Sequence, residues 1–210
     1  MDRSIYHITH IDNLQSILEK GGLWCDAQRI SQGLDCENIA HGNIKERRMR
    51  TPVPITPGGH LADYVPFYFS NRTPMLYAIN TGWVEGLPRG SQSNIIYLVS
   101  SVETVAESEK QWCFTDGHAV EAMSSFYNST DELTEVDWDV INSWSWKERL
   151  DDMDRKRRKQ AEFLVHNFFE WDLFLSIGVF SREMKSHVEQ LISGEDHTPP
   201  VAVETNWYYN

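Results

Sequence analysis

Nowhere in the 210 residues does an apolar run reach the ~18 to 20 residues that a membrane-crossing helix needs. The opening Met1-Asp2-Arg3-Ser4-Ile5-Tyr6-His7 also lacks the apolar stretch of a signal peptide. The expectation is a soluble, cytoplasmic protein without a membrane partner. Cysteine is scarce: Cys25, Cys36 and Cys113 are odd in number and show no Cys-x-x-Cys spacing, which argues against a disulfide scaffold or zinc ribbon and predicts free thiols. The eight histidines show no ligand spacing, so no metal site is expected. There is no Gly-x-x-x-x-Gly-Lys-Ser/Thr loop, no Gly-x-Gly-x-x-Gly after a strand, no His-Glu-x-x-His and no Gly-x-Ser-x-Gly elbow. Those absences remove support from nucleoside-triphosphatase, dehydrogenase, zinc-protease and hydrolase readings.

What is present is a chain that should pack: 40% hydrophobic residues, 12% aromatic, and eight tryptophans. The length suits one ordinary domain, and no internal repeat or Pro/Gly/Ser-rich linker divides it, so residues 1–210 are read as a single unit. The net charge of −12 is unevenly spread. Lys45-Glu46-Arg47-Arg48-Met49-Arg50 is basic, Arg155-Lys156-Arg157-Arg158-Lys159 is an unbroken run of cations, and the stretch between Asp131 and Asp139 is acidic. The bland reading of either basic island is a solvated helix face or a loop kept soluble.

Local patterns predict a mixed α+β fold with a strand-rich core, short flanking helices and long functional loops. Ile5–Thr9 reads as a strand with His7 and Thr9 on one face and Ile8 on the other. Asp12 is expected to cap a short helix carrying Leu14, Ile17 and Leu18, stopped at Gly21-Gly22. Residues 25–59 show no lasting period and read as a long structured loop. Tyr64–Phe69, Asn94–Ser100, Glu162–Val165 and Ile177–Phe180 read as strands, with a last one in Val201–Tyr209. Thr73-Pro74 and Ser181 start helices, and short helices are placed in 115–145.

Glu162 is the most informative residue, because its carboxylate must project from the apolar strand Phe163-Leu164-Val165, where an unpaired charge is expensive. The bland alternative is an edge-strand glutamate reaching solvent or Arg158. Six blocks then fall in order along the chain: Tyr6-His7-Ile8-Thr9-His10-Ile11-Asp12-Asn13-Leu14, Glu46–Arg50, Asp63–Phe69, Pro74-Met75-Leu76-Tyr77, Phe114–His118 and Lys159–Val165. Together they resemble the DarT-type DNA ADP-ribosyltransferase toxins, in their thymidine-modifying branch. The resemblance implies an ADP-ribosyltransferase-like fold, NAD+ as co-substrate, and transfer of ADP-ribose to thymidine in single-stranded DNA in a sequence-dependent way. It also implies a macrodomain antitoxin as partner, with the chain as the toxin of the pair and a monomer. By the same resemblance Glu162 and Arg48 are the catalytic residues. His7, Thr9, Asn13, Arg48, Tyr68 and Met75 contact the cofactor, and His118 lies in the loop facing the target base.

Elementary chemistry is consistent with these roles. Breaking the nicotinamide–ribose bond leaves positive charge on C1′ and the ring oxygen, which a nearby carboxylate stabilises. Glu162 can do this, hydrogen-bond a ribose hydroxyl, or take the proton of the thymine imide. Arg48 can clamp the pyrophosphate or polarise the base carbonyl. The −12 charge does not forbid DNA, since a basic groove with stacking aromatics needs only local charge. Arg157 and Arg158, close to Glu162 in sequence, are therefore expected to hold DNA phosphates. Another acceptor (guanosine, RNA or protein) and a non-catalytic nucleic-acid binding module are the competing readings.

Overall fold

The computed structural model describes residues 3–39 and 42–209. In chain order its elements are β1 (Ser4–His10), α1 (Leu14–Glu19), β2 (Gly22–Trp24), α2 (Asp26–Ser31), α3 (Gly42–Arg50), β3 (Tyr64–Tyr68) and α4 (Pro74–Thr81). There follow β4 (Ile95–Ser101), α5 (Val102–Glu107), β5 (Trp112–Thr115), β6 (Phe126–Tyr127), α6 (Trp138–Asn142) and α7 (Arg155–Arg158). The remainder is β7 (Glu162–His166), β8 (Phe168–Glu170), β9 (Ser176–Val179), α8 (Arg182–Ile192) and β10 (Val201–Val203). Eight strands form one sheet in the order β10-β9-β4-β1-β3-β7-β5-β6, antiparallel except for β10 beside β9, and β2 pairs with β8 apart from it. This is the expected α+β class.

Alternation along β4 splits the apolar core between the two sheet faces. Ile96 and Leu98 pack with Ile5, Phe67, Phe163 and Val188 of α8, whereas Ile95, Tyr97 and Val99 pack with Ile8 and with Leu76 and Ile79 of α4. The caps read from sequence are in place: Thr73 accepts from the Leu76 N–H and Ser181 from the Met184 N–H. Asp12 is not a cap. It sits in a 3-10 turn whose N–H donates to the His10 ring, so α1 begins at Leu14 without a side-chain cap. The expected loop over 25–59 contains α2 and α3, and the last strand is confined to Val201–Val203, followed by a 3-10 turn.

One break in the sheet positions the site. Among the described residues β1 and β3 pair at one position, Tyr6 opposite Tyr68. Toward His10 and Tyr64 they diverge. Pro66 has no N–H to offer a neighbouring strand, and its carbonyl instead meets Nδ1 of His7 at 2.8 Å. A proline inside the sheet is tolerable because this side of β3 behaves as an edge. On its other side β3 is fully paired with β7, which brings Glu162 opposite Tyr68.

Candidate active site

An open cleft occupies the split between β1 and β3. His7 and Thr9 of β1, Pro66 and Tyr68 of β3, Asn13 and Met75 all border it. Trp24, Lys20, Arg29 and Lys45, none of them singled out from sequence, complete the rim together with Asp26. Arg29 lies 3.3 Å and Lys45 3.8 Å from the Asp26 carboxylate.

The polar groups of the cleft are held in defined states. Burial lowers the pKa of His7, which keeps the ring neutral near pH 7. A carbonyl can only accept, so Nδ1 carries the proton toward Pro66 and Nε2 is left as an acceptor. Asn13 donates to Thr9 Oγ1 at 3.0 Å and to the Glu37 carbonyl at 3.0 Å, and accepts from the Glu37 N–H at 2.6 Å. It thereby ties residues around 37 over the end of β1, and the Thr9 hydroxyl keeps its own proton to donate. Tyr68 donates to the Met75 sulfur at 3.2 Å. Burial, and secondarily the Glu162 charge, raise the Tyr68 phenol well above its usual value, so it remains protonated.

Where Tyr68 meets β7, the Glu162 carboxylate is 2% exposed, and Arg48, delivered by α3, is 7% exposed. Arg48 Nη1 donates to Oε2 at 2.7 Å, and the Ala119 N–H donates to Oε1 at 2.9 Å. Burial on its own would lower the Arg48 pKa, but the adjacent carboxylate outweighs it and the net shift is upward. Glu162 is thus neither at an edge nor paired with Arg158. β7 is interior, and its partner lies 114 residues away in sequence. No spacing rule reaches that far. α3 was missed because, in GNIKERRMR, Ile44 and Met49 alone are apolar, too few for a helical period.

His118 stands 4.0 Å from Glu162, Nε2 to Oε1, too far for a hydrogen bond and close enough to share a substrate. Its pKa is lowered by burial, which favours the neutral ring. Its loop is braced by Arg157. The Arg157 guanidinium meets Asp116 at 3.0 Å, Ser124 at 3.1 Å and Asp154 at 2.7 Å, and its carbonyl accepts from the His118 N–H at 3.0 Å. A Cβ at Gly117 would lie 2.2 Å from the Arg157 Nη1, so a larger residue there displaces the Arg157 side chain. Arg158 pairs with Asp137 and Asp152. Neither arginine offers the unpaired guanidinium expected for phosphate binding, because each would have to give up a carboxylate. The structure therefore brings together Glu162, Arg48, His118, Tyr68, Met75, His7, Thr9 and Asn13, and sets Arg157 and Arg158 behind them as braces.

Among the described residues no group of three or more His, Cys, Asp or Glu side chains is gathered as for a metal ion, and no helix is long and apolar enough to cross a membrane.

Comparison with known proteins agrees with this geometry. A family described as ssDNA thymidine ADP-ribosyltransferase, DarT, matches residues 6–209. A DNA ADP-ribosyl transferase of Thermus aquaticus is 42% identical over 207 residues, covering 98% of this chain and 88% of the relative. The DarT of Thermus sp. 2.9 in complex with ADP-ribosylated ssDNA superposes with a TM-score of 0.91 at 38% identity, covering 99% of this chain and 97% of that one. The same protein in complex with NAD+ gives 0.86 at 37% identity, covering 99% and 98%. A Thermosipho africanus fusion of a DNA ADP-ribosyl transferase with a DNA ADP-ribosyl glycohydrolase is 26% identical over 92% of this chain, which spans 47% of the fusion. The chain belongs to the DarT family of ssDNA thymidine ADP-ribosyltransferases.

Proposed function

We propose that residues 1–210 act as one catalytic unit that transfers ADP-ribose from NAD+ to thymidine in single-stranded DNA. The observation that carries this reading is the buried Arg48–Glu162 pair at the junction where the split between β1 and β3 closes. The donor occupies the cleft. His7 Nε2 and the Thr9 hydroxyl meet the carboxamide or ribose hydroxyls, and the Tyr68 ring and Met75 wall the nicotinamide, with Asn13 holding the rim in place. Lys20 at the rim supplies positive charge for the pyrophosphate, while Arg29 and Lys45 are paired with Asp26.

In the reaction the C1′–nicotinamide bond breaks and its electron pair returns to the pyridinium ring, so nicotinamide leaves neutral. The Glu162 carboxylate lies against the positive charge that develops at C1′, and Arg48 fixes its orientation. The thymine imide nitrogen forms the new bond to C1′ and gives up its proton. Neutral His118, close to Glu162, suits the role of acceptor. Arg48 also lies close enough to steady negative charge on the base as it attacks.

The fusion relative supports a partner that removes the modification, a macrodomain antitoxin for which this chain is the toxin. Incubation with NAD+ and oligonucleotides of varied sequence, followed by mass spectrometry, tests the activity. One ADP-ribose on thymidine, confined to particular sequences, is expected. Label on guanosine, RNA or protein with none on thymidine overturns the reading.

A further inference from the structure

A second cavity lies on the far side of the Tyr6–Tyr68 junction from the donor cleft. His7 and Tyr68 border the cleft, while their chain neighbours Tyr6 and Phe69 border the cavity. Lys159, also in its wall, is three residues from Glu162, a chain reach of at most about 10 Å. The cavity therefore adjoins the catalytic carboxylate without sharing the donor's space.

Its charge is unusual for an acidic protein. Arg72 is 8% exposed and Lys159 1% exposed, and among the described residues no aspartate or glutamate lines the cavity. Arg72 Nη1 donates to the carbonyls of Asn206 and Tyr208, and the guanidinium lies 3.8 Å from the Trp144 ring centre and 4.3 Å from that of Tyr209. Its Nε is buried without any hydrogen-bond partner. Lys159 donates to the carbonyls of Ile141 and Ser143 at 2.6 and 2.7 Å. Carbonyl dipoles and ring faces steady a cation but do not cancel its charge, so two buried cations face one space without a counter-ion. The strain registers on Lys159, whose pKa is lowered to about 8 by burial and then by Arg72 and Arg155. An entering anion relieves that repulsion. Trp144, 62% exposed, adds a ring at the mouth on which a base can stack.

We propose that this cavity is a phosphodiester subsite for the acceptor strand, in which Arg72 and Lys159 hold an internucleotide phosphate beside the thymidine being modified. The proposal rests on the DNA-acceptor reading above and names where the strand is gripped.

Asn71→Asp tests it with little steric change, placing a carboxylate at a lining position while both cations remain; Arg72→Gln is the companion variant. Binding of a fluorescent single-stranded oligonucleotide is read by anisotropy at several salt concentrations, and the KM for NAD+ is measured in parallel. Both variants are expected to weaken DNA binding tenfold or more and to shallow the log–log salt slope by about 0.7, the loss of one phosphate contact. The KM for NAD+ should move less than twofold. A neutral methylphosphonate beside the acceptor thymidine should weaken binding to the unaltered protein and leave the Asn71→Asp variant indifferent. Unchanged affinity and slope in a folded Asn71→Asp protein overturn the subsite, as does a rise confined to the KM for NAD+, which assigns the cations to the donor pyrophosphate. A protein that binds DNA through this cavity yet modifies none overturns the acceptor reading and leaves the subsite standing.

Discussion

On α7, Arg157 and Arg158 each meet aspartates, whereas Arg72 and Lys159, the latter one residue further along the chain, meet carbonyls and aromatic rings. A run of cations in sequence marks where positive charge is made, not where it is available. Arg157 is spent internally in bracing the loop of His118 and Arg158 in pairing with Asp137 and Asp152, while Lys159, the last cation of the same run, and Arg72 meet no carboxylate. Arg48 is a third case, its charge met by the buried Glu162 carboxylate.

Glu162→Gln bears on the buried Arg48–Glu162 pair and carries the largest expected effect: a loss of about a thousandfold in ADP-ribosylation of an oligonucleotide. It should also cost about 3 kcal/mol of stability, because the buried Arg48 loses its counter-charge. Activity within tenfold of the unaltered protein would remove Glu162 from the chemistry. Arg157→Ala comes next. If Arg157 is a brace, activity falls about tenfold as the 116–124 loop loosens, Arg157→Lys restores part of it, and the salt dependence of DNA binding keeps its slope. A shallower slope would return Arg157 to the phosphate-binding role that its place in the cationic run suggests.

A pH series sharpens the contrast between the neutral imidazoles and the charged groups around them. Burial holds the folded-state pKa of His7 and of His118 below the unfolded value of ~6.5. The unfolded chain therefore binds more protons as the pH drops, and stability present above pH ~6.5 is lost as pH falls through the folded values. The thermal midpoint should decline in that direction, with a gentler slope in His7→Asn. An unchanged slope would show that His7 is not the group responsible. The smallest effect belongs to Arg158→Gln, under about 1 kcal/mol, because its partners are partly exposed and compete with water. Denaturant titration checks it, and a loss above 2 kcal/mol would mean that these pairs hold the fold.

The strands of strong β-branched character and the helices opened by Thr73-Pro74 and Ser181 could be read from residues alone, since propensity, capping and period agreed there. α3 could not, being polar all round and held by the burial of Arg48 against Glu162. The site itself was legible through six blocks in order, not through spacing, since its two charged groups come from opposite parts of the chain. Whether a cation lacks a counter-charge depends on the space around it, so neither the place of Lys159 at the end of the basic run nor the isolated Arg72 told of their shared cavity.

The seat of Arg72 has a temporal side. Its two carbonyl acceptors and one of its flanking rings come from residues 206–209, and Trp207 packs over Gly178 so closely that a Cβ there would lie 2.2 Å from the ring. A nascent chain still short of those residues contains β7 and α3, which carry Glu162 and Arg48, but no anchorage for Arg72. Interrupted translation, or clipping after β10, thus removes the anchorage of Arg72 and, with it, Tyr208, which is 1% exposed in the core beside Leu76 and Ile79.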